Sequence, residues 1–392
     1  MREIPLDELP VVGALDRDRT PNGVVFRRVP AWTRPQLVDA PLQMVVTMPA
    51  GVRLEFTTDA TELEIEAMLT VVKFGANAVP PQNFDLVGAG PDVVSAEATD
   101  YTAVLVDPKT LVAEAVAGQP AKIRFDSLPG DPSIPLQIWF PQAAVFELRA
   151  VRISAGASLH PAPRRGRRWV HYGSSISHCY EADRPTDTWP ALAALLAGVD
   201  LLNLALGGQC MLDQFIARTI RDVEADLISV KAAINVVNGD QMRERTYVAA
   251  LHGFIDTVRD GHPTTPLLLV TPIICPAAEE HPGPTPLGDD GRIVTIPRPA
   301  ELSAGALSVR RMRALMVALV EARRDAGDQN LHLLDGRQLL GPDDVDHLPD
   351  GLHPDAEGYR RIGRRFHELA FERGVFAPVQ GRSEAPSLTP PA

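Results

Sequence analysis

The sequence has few cysteines, no long apolar run and no excess of positive charge, and each absence excludes a class of protein. Its three cysteines, at positions 179, 210 and 275 of 392 residues, are an odd and scattered set. Such a set indicates reduced thiols rather than a disulfide framework. No Cys-x-x-Cys pair is present, so we do not expect a structural zinc site.

The charge and the N-terminal segment restrict partners and location. The net charge is −12, with 50 acidic and 38 basic residues, which disfavours nucleic acid or an anionic membrane as the main partner. Residues 1–8 lack the apolar core of a secretory signal, and no run is long and apolar enough to span a bilayer. The sequence therefore predicts a cytoplasmic protein, and it contains no signal for an oligomeric state.

Short segments of alternating apolar and polar residues, separated by Pro, Gly and Asp, extend to about residue 160. A period of two indicates strands with one buried face and one exposed face. The predicted strands are 24–28, 43–48, 52–57, 62–67, 101–106 and 146–151. Many short strands with turns between them predict an all-β sandwich, jelly-roll-like, as a first domain over residues 1–163.

Beyond residue 168 the pattern changes to strands that alternate with helices. The predicted strands are 169–172, 201–204, 227–230, 267–271 and 331–334, and the predicted helices are 187–197, 243–259, 307–324 and 356–372. This alternation is typical of parallel strands with right-handed helical crossovers. We therefore predict an α/β domain over residues 169–378, a three-layer, doubly wound parallel sheet.

Three further segments have their own composition. The basic run 161–168 is interpreted as a linker, with an anion or nucleic-acid contact as the alternative. Residues 275–301, rich in Pro, Gly and Asp, are too long for a plain connection and are predicted to be a lid or specificity loop, or else a surface loop. The tail 380–392 is predicted to be disordered.

The serines that follow the strand 169–172 are the first chemical signal. A serine at a strand-to-helix turn is exposed to substrate, and Ser175 stands there, after Gly173. Its hydroxyl needs a base and an orienting acid. His353 can accept and return a proton, and Asp350, three residues upstream, can hold the other ring nitrogen. A turn at Asp350 is the alternative interpretation.

Four blocks carry a resemblance to a known family. They are Gly173-Ser174-Ser175, the Asn-Leu-Ala-Leu-Gly-Gly run at 203–208, Ala233-Ile234-Asn235 and Asp350-Gly351-Leu352-His353. In this order they resemble the motifs of the SGNH subgroup of the GDSL esterases and acylhydrolases. Ser174 replaces the usual aspartate, and the aspartate that usually follows Asn235 is missing. An N-terminal sandwich also accompanies some GDSL-like esterases that act on carbohydrate.

The resemblance implies a set of site residues. Ser175 takes the place of the family nucleophile, with Ser174 and Ser177 as competitors, and Asp350 and His353 take the places of the acid and base. The backbone N–H groups of Ser175 and Gly208 and the side-chain amide of Asn235 would form the oxyanion hole. Gly207 is the rival of Gly208, and Asn238 is that of Asn235, although Asn238-Gly239 is a turn signal.

Two other kinds of site are disfavoured. Position 177 is Ser where the Gly-x-Ser-x-Gly motif of α/β-hydrolases requires Gly, and the Asp-to-His spacing is short for that fold. Asp343, Asp344, Asp346 and His347 match neither an EF-hand nor His-Glu-x-x-His, so we interpret them as a solvent-exposed loop. We expect neither metal nor cofactor.

These observations predict a serine-dependent ester hydrolase that forms an acyl-enzyme. The expected substrate is a small-molecule ester, with acylated carbohydrates and natural products as candidates. The alternative is an acyltransferase that moves an acyl group onto an alcohol of a sugar or secondary metabolite. A third hypothesis is a carbohydrate-binding or scaffolding protein that has lost its activity.

Overall fold

The computed structural model describes residues 1–378 apart from 75–78, 80, 91, 108–109, 111 and 165. The chain divides into two compact units. The first comprises Met1–Arg165 and Ala182–Asp187, and the second comprises Gly166–Glu181 and the described residues from Thr188 onward. Within the first unit, Asp85 Oδ2 accepts hydrogen bonds from the amide and hydroxyl of Thr186, which explains why that short segment groups there. The predicted tail, 380–392, lies outside the described residues.

The first unit is built from two sheets. Its strands are β1 (Arg2–Ile4), β2 (Val11–Val12), β3 (Asp16–Arg19), β4 (Val24–Arg27), β5 (Arg53–Thr58), β6 (Leu63–Phe74), β7 (Gln82–Val87), β8 (Val94–Ala98), β9 (Thr102–Val106), β10 (Ala113–Val116), β11 (Ala121–Phe125), β12 (Leu136–Trp139), β13 (Val145–Ile153) and β14 (Leu159–Pro161). One sheet has the order β10-β9-β6-β13-β4-β3, with β1 on β13 and β11 on β6; the other has the order β14-β5-β12-β7-β8, with β2 on β5. Of the described pairs, only β6–β9 is parallel.

The core of this unit lies between the two sheets. Along β6, Ile65 and Ala67 are buried, whereas Glu64 and Glu66 lie on the other face and bond Arg152. Four phenylalanine rings pack together in this core, in stacked, tilted and edge-to-face pairs with centroids 4.5 to 6.4 Å apart. They are the rings of Phe26, Phe84, Phe140 and Phe146. The predicted all-β sandwich is therefore confirmed.

The predicted strand at 43–48 is wrong, because this segment begins with helix α1 (Ala40–Val45). The Asp39 side chain accepts the N–H of Leu42 at 2.8 Å, and Pro41 lies in the first turn. An Asp cap followed by Pro is a strong helix start. At the other end the buried Arg28 guanidinium donates to the carbonyls of Val45 and Met48. The prediction also missed nine strands, namely β1, β2, β3, β7, β8, β10, β11, β12 and β14.

The second unit contains a parallel sheet. Its strands are β15 (Arg168–Gly173), β16 (Asp200–Asn203), β17 (Leu227–Lys231), β18 (Leu267–Val270) and β19 (Leu331–Leu334). They pair in the order β16-β15-β17-β18-β19, and every pair is parallel. In this doubly wound order, ligands bind where the order reverses, at the carboxyl ends of the strands. That point is β15.

Helices cover both faces of this sheet. They are α2 (Ser175–His178), α3 (Trp189–Ala197), α4 (Gln214–Asp222), α5 (Ile234–Asn238), α6 (Glu244–Gly261), α7 (Val309–Asp325) and α8 (Ala356–Phe366), which continues into a π-helical turn, His367–Glu372. Short 3₁₀ turns of this unit lie at Pro276–Ala278, Ala300–Leu302, Gly336–Gln338 and Pro342–His347. Two others, Ala31–Gln36 and Pro185–Asp187, belong to the first unit. α3 packs against α8, and α6 packs against α4 and α7. The predicted three-layer α/β fold is confirmed, although α2, α4 and α5 were missed.

Neighbouring side chains of β15 show how the strand is covered. His171 meets the ring of Trp189 on α3 edge to face, with centroids 4.7 Å apart. Tyr172 stacks on Phe254 of α6 at 5.4 Å. Successive residues of a strand point to opposite faces, so β15 is buried on both sides. In the described ranges, no helix combines the length and apolar character needed to cross a membrane.

Candidate active site

β15 ends in a glycine because there is no room for a side chain. A Cβ atom on Gly173 would lie 2.3 Å from the Oγ of Ser177. Ser174 then has an extended backbone, its carbonyl accepts the N–H groups of Ser177 and His178, and Ser175 is the first residue of α2. The strand-to-helix turn predicted for Ser175 is therefore present.

The loop before α8 brings a histidine and an aspartate to this serine. Asp350 Oδ1 accepts the N–H groups of Leu352 and His353 at 2.8 and 2.7 Å, and its Oδ2 lies 2.7 Å from His353 Nδ1. Gly351 allows this fold-back with a φ of 83°. His353 Nε2 lies 2.9 Å from Ser175 Oγ. In the neutral imidazole, Nδ1–H donates to Asp350, and Nε2 accepts from the serine hydroxyl.

The two competing serines are placed differently. Ser174 and Ser177 are fully buried, and their hydroxyl oxygens have no hydrogen-bond partner in the part of the chain that the structure describes. Ser175 is partly exposed and bonds the imidazole. A nucleophile must be reachable by substrate and close to its base, so the geometry favours Ser175.

Two carboxylates act on His353. Glu181 Oε1 lies 4.0 Å from the same Nδ1 that Asp350 binds. Burial lowers the pKa of His353, but the charges of Glu181 and Asp350 and the Asp350 hydrogen bond outweigh it and raise the pKa to about 9. Burial would raise the pKa of Asp350, yet bonding to His353 and to backbone N–H groups lowers it below its usual range.

Sequence reasoning missed Glu181. It follows α2, whose C-cap residue Cys179 has a left-handed conformation with a φ of 60°. The Oε2 of Glu181 accepts a hydrogen bond from the hydroxyl of Tyr359 on α8 at 2.7 Å. No motif or spacing rule connects a glutamate after the nucleophile turn with the loop that carries His353. Only the packing of α8 against the turn brings them together.

The second and third blocks meet beside the turn. Gly208, exposed after β16, has a φ of 70°, so the left-handed position is Gly208 rather than its rival Gly207. Asn235, buried near the start of α5, accepts the N–H of Cys210 through Oδ1 at 3.1 Å. That bond orients the amide and leaves Nδ2 as the donor. Asn238 instead accepts the N–H of Thr285 through its backbone carbonyl.

The second block, residues 203–208, is also hydrogen-bonded to residues 173–177, the turn that contains Ser175. Asn203 donates through Nδ2 to the carbonyl of Ser177 at 3.2 Å and accepts the N–H of Ala205 through Oδ1 at 3.0 Å. Leu206 donates its N–H to the carbonyl of Gly173 at 2.8 Å. The chain after β16 is therefore held against the turn that carries Ser175.

The segment 275–301 contacts the loop of Asp350. It contains two 3₁₀ turns and an isolated bridge between Leu287 and Ile293. The N–H of Ile293 donates to the carbonyl of Asp350 at 2.8 Å. Leu287, Val294 and Ile296 are exposed apolar side chains. A role as lid or specificity loop stays a prediction.

In the acidic cluster at 343–347, Asp343 and Asp346 are exposed as predicted, but the segment forms a 3₁₀ turn and Asp344 is not exposed to solvent. Asp344 is buried and pairs with Arg361 and Arg365, each at 2.6 Å. Among the described residues, no group of three or more His, Cys, Asp or Glu side chains is arranged to hold a metal. All three cysteines are buried free thiols.

A protein-family model matches most of the second unit. A family model described as the GDSL-like lipase/acylhydrolase family matches residues 171–361, a range that contains all four blocks. No curated protein matches the sequence.

Solved structures share the architecture over nearly the whole chain. The salicylyl-acyltransferase SsfX3 from a tetracycline biosynthetic pathway is 26% identical, with a TM-score of 0.71, and the match covers 91% of this chain and 92% of that one. A GDSL-like lipase candidate from Bacteroides ovatus is 18% identical, with a TM-score of 0.66 and 93% and 95% covered. An active-site mutant of a family two carbohydrate esterase from Clostridium thermocellum is 12% identical, with a TM-score of 0.57 and 92% and 97% covered. The last two likenesses concern the fold alone.

The close packing around Gly173 leads to a prediction about the stability of the protein. Gly173→Ala forces a Cβ into the Ser177 side chain, and we expect a loss of about 1 to 3 kcal/mol in the free energy of unfolding, as for other overpacked sites. Gly253→Ala, in the interior of α6, is the matched control, because a Cβ there would meet nothing within 4 Å. Alanine is also more stable than glycine in a helix interior, so no loss of stability is expected. Urea unfolding measures both, and equal effects would contradict the steric explanation.

Proposed function

We propose that the chain is a serine-dependent ester hydrolase that forms an acyl-enzyme on Ser175, in keeping with the match of residues 171–361 to the GDSL-like lipase/acylhydrolase family. One observation carries the proposal. A continuous chain of short contacts runs from Ser175 Oγ to His353 Nε2 at 2.9 Å and from His353 Nδ1 to Asp350 at 2.7 Å. This arrangement can move a proton to and from a serine hydroxyl.

The first half-reaction acylates the serine. Ser175 Oγ attacks the carbonyl carbon of the ester while His353 Nε2 takes the hydroxyl proton. Asp350 keeps Nδ1 protonated and stabilises the imidazolium. When the tetrahedral intermediate collapses, the bond from carbonyl carbon to alkoxy oxygen breaks, and His353 returns the proton to the leaving alcohol.

The second half-reaction releases the acid. Water gives a proton to His353 Nε2 and attacks the acyl carbon. The bond to Ser175 Oγ then breaks, and the serine regains its proton. The carboxylic acid leaves and the enzyme is restored without a metal or cofactor.

Three donors are proposed for the oxyanion of both intermediates. They are the backbone N–H of Ser175, the backbone N–H of Gly208 and the Nδ2 of Asn235. The bond from the Cys210 N–H to Asn235 Oδ1 supports this choice, because it orients the amide before substrate arrives. Donors held in advance stabilise developing charge without reorganisation.

Acyl transfer to an alcohol is the second candidate function. The observation that favours it is the 26% identity with a salicylyl-acyltransferase over 91% of this chain. The acylation step is the same in both, and only the attacking hydroxyl differs. Under this alternative the acceptor is an alcohol of a natural product or a sugar.

Covalent labelling tests the nucleophile. A fluorophosphonate reacts with an activated serine, so we expect rapid labelling of the wild type and none of Ser175→Ala. Ser177→Ala is the control, because Ser177 is fully buried, and it should label like the wild type. Folded wild-type protein that does not label would favour the alternative of a binding protein without activity.

The pH dependence follows from His353. General-base catalysis needs the neutral imidazole, and the raised pKa of about 9 leaves roughly 1% neutral at pH 7. The kcat/KM for a nitrophenyl ester should therefore rise about tenfold per pH unit up to about pH 8 and level off only above about pH 9. A plateau already reached at pH 7 would contradict this assignment.

Product analysis separates hydrolysis from transfer. Nitrophenyl esters of short and medium acyl chains are supplied with and without an added alcohol acceptor, and free acid and new ester are quantified. A hydrolase should release acid alone at an unchanged rate. New ester formed in proportion to the alcohol, and absent with Ser175→Ala, would place acyl transfer first.

A further inference from the structure

We propose that Glu181 is a second carboxylate partner of His353, a positioning residue that shares with Asp350 the stabilisation of the protonated imidazole. The inference rests on the proposed function, in which His353 is the base. Glu181 Oε1 lies 4.0 Å from His353 Nδ1, the nitrogen that Asp350 Oδ2 contacts at 2.7 Å. An opposite charge within about 4 to 6 Å favours the charged form of a titratable group.

The position of Glu181 is fixed by a separate bond. Its Oε2 accepts the hydroxyl of Tyr359 on α8 at 2.7 Å, and Tyr359 is fully buried. Burial and the Glu181 charge raise the pKa of Tyr359 well above its usual value, so the phenol remains protonated and remains the donor. One carboxylate oxygen is thus anchored to a helix, while the other faces the imidazole.

The other groups near His353 do not replace Glu181. Cys179, buried beside Glu181, stays neutral because burial raises the pKa of its thiol well above the usual value. Cys275, near Asp350, also stays neutral, because burial raises the pKa of the Cys275 thiol to about 11. The segment 275–301 contributes a positively charged side chain, that of Arg292. Its Nη2 would lie 4.0 Å from a Cβ atom placed on Gly351. Of these groups, only Glu181 and Asp350 bring negative charge to the imidazole.

The arrangement has two opposing effects on the reaction. The two carboxylates together favour the imidazolium, which stabilises the transition state in which His353 holds the serine proton. They also reduce the fraction of neutral imidazole before the reaction. Removal of Glu181 should therefore lower the pKa of His353, and removal of Asp350 should leave one carboxylate still acting on Nδ1.

The test compares Glu181→Gln, Glu181→Asp and the wild type by two independent measurements. NMR of isotopically labelled histidine gives the pKa of His353 directly, and the pH profile of kcat/KM gives its kinetic pKa. We expect Glu181→Gln to lower both by about 1 to 3 and Glu181→Asp, which keeps the charge, to restore much of the difference. Glu357→Gln is the matched control, because Glu357 on α8 pairs with Arg360 and Arg364 instead.

The outcomes separate this inference from the proposed function. A His353 pKa unchanged by NMR in folded Glu181→Gln overturns the inference, and so does a uniform loss of activity at every pH. If NMR shows the shift while the kinetic pKa stays in place, Glu181 does act on His353, but His353 is not the base, and the proposed function alone fails. Melting temperatures establish that each variant is folded, and Glu181→Ala replaces Glu181→Gln if the latter is not.

A double-mutant cycle provides a second test. With Glu181 present, Asp350→Asn should keep measurable turnover, because a carboxylate still acts on Nδ1. Adding Glu181→Gln to Asp350→Asn should reduce kcat at least about tenfold further. The effects of the two substitutions are not additive, because both carboxylates act on the same ring nitrogen. Equal activity of the single Asp350→Asn and the double variant would overturn the inference.

Discussion

The parallel pairing of β15 with β16 on one side and β17 on the other is the constraint on which the site depends. Pairing aligns His171 with Asn203 and Gly173 with Lys231, so the three strands end at nearly the same level. The serine turn, the Gly208 turn and the segment of Asn235 each follow one of these strands. The sheet order brings these segments to one edge, and hydrogen bonds between them, such as that from Cys210 N–H to Asn235 Oδ1, hold them together.

Burial on both faces makes this end of the sheet rigid. Rings from α3 and α6 cover β15, and Gly173 is packed so closely that a methyl group would meet Ser177. Ser175, the proposed nucleophile, therefore lies on a turn that is closely packed against its surroundings. Catalytic groups supported by packed elements are held more accurately than groups on free loops.

The histidine is placed by a long-range contact and tuned by two charges. Ser175 and His353 are 178 residues apart in the chain, and the loop before α8 brings them into hydrogen-bond distance. Asp350 acts locally, through the short spacing that Gly351 allows. Glu181 acts from the nucleophile side, anchored by Tyr359. His353, the proposed base, thus lies beside negative charge both from its own loop and from the segment that follows Ser175, which explains its raised pKa.

Much of the fold was readable from local pattern, and the failures have physical causes. The strand at 331–334 was predicted with its observed bounds because a buried parallel strand is a short apolar run. The segment 43–48 was misread because the helix cap at Asp39 lies before the alternating residues and decides the conformation. Strands β7 and β12 were missed because both of their faces are largely buried and polar residues interrupt the alternation.

By itself, the sequence determined the two fold classes and their order along the chain, and it identified Ser175, Asp350 and His353 as candidates. Those properties depend on residues close together in the chain. The tertiary structure decided which serine contacts the imidazole, that Asp344 is buried with Arg361 and Arg365, and that Glu181 faces His353. Such contacts join residues distant in sequence, and their energies depend on burial and distance, which no local pattern encodes.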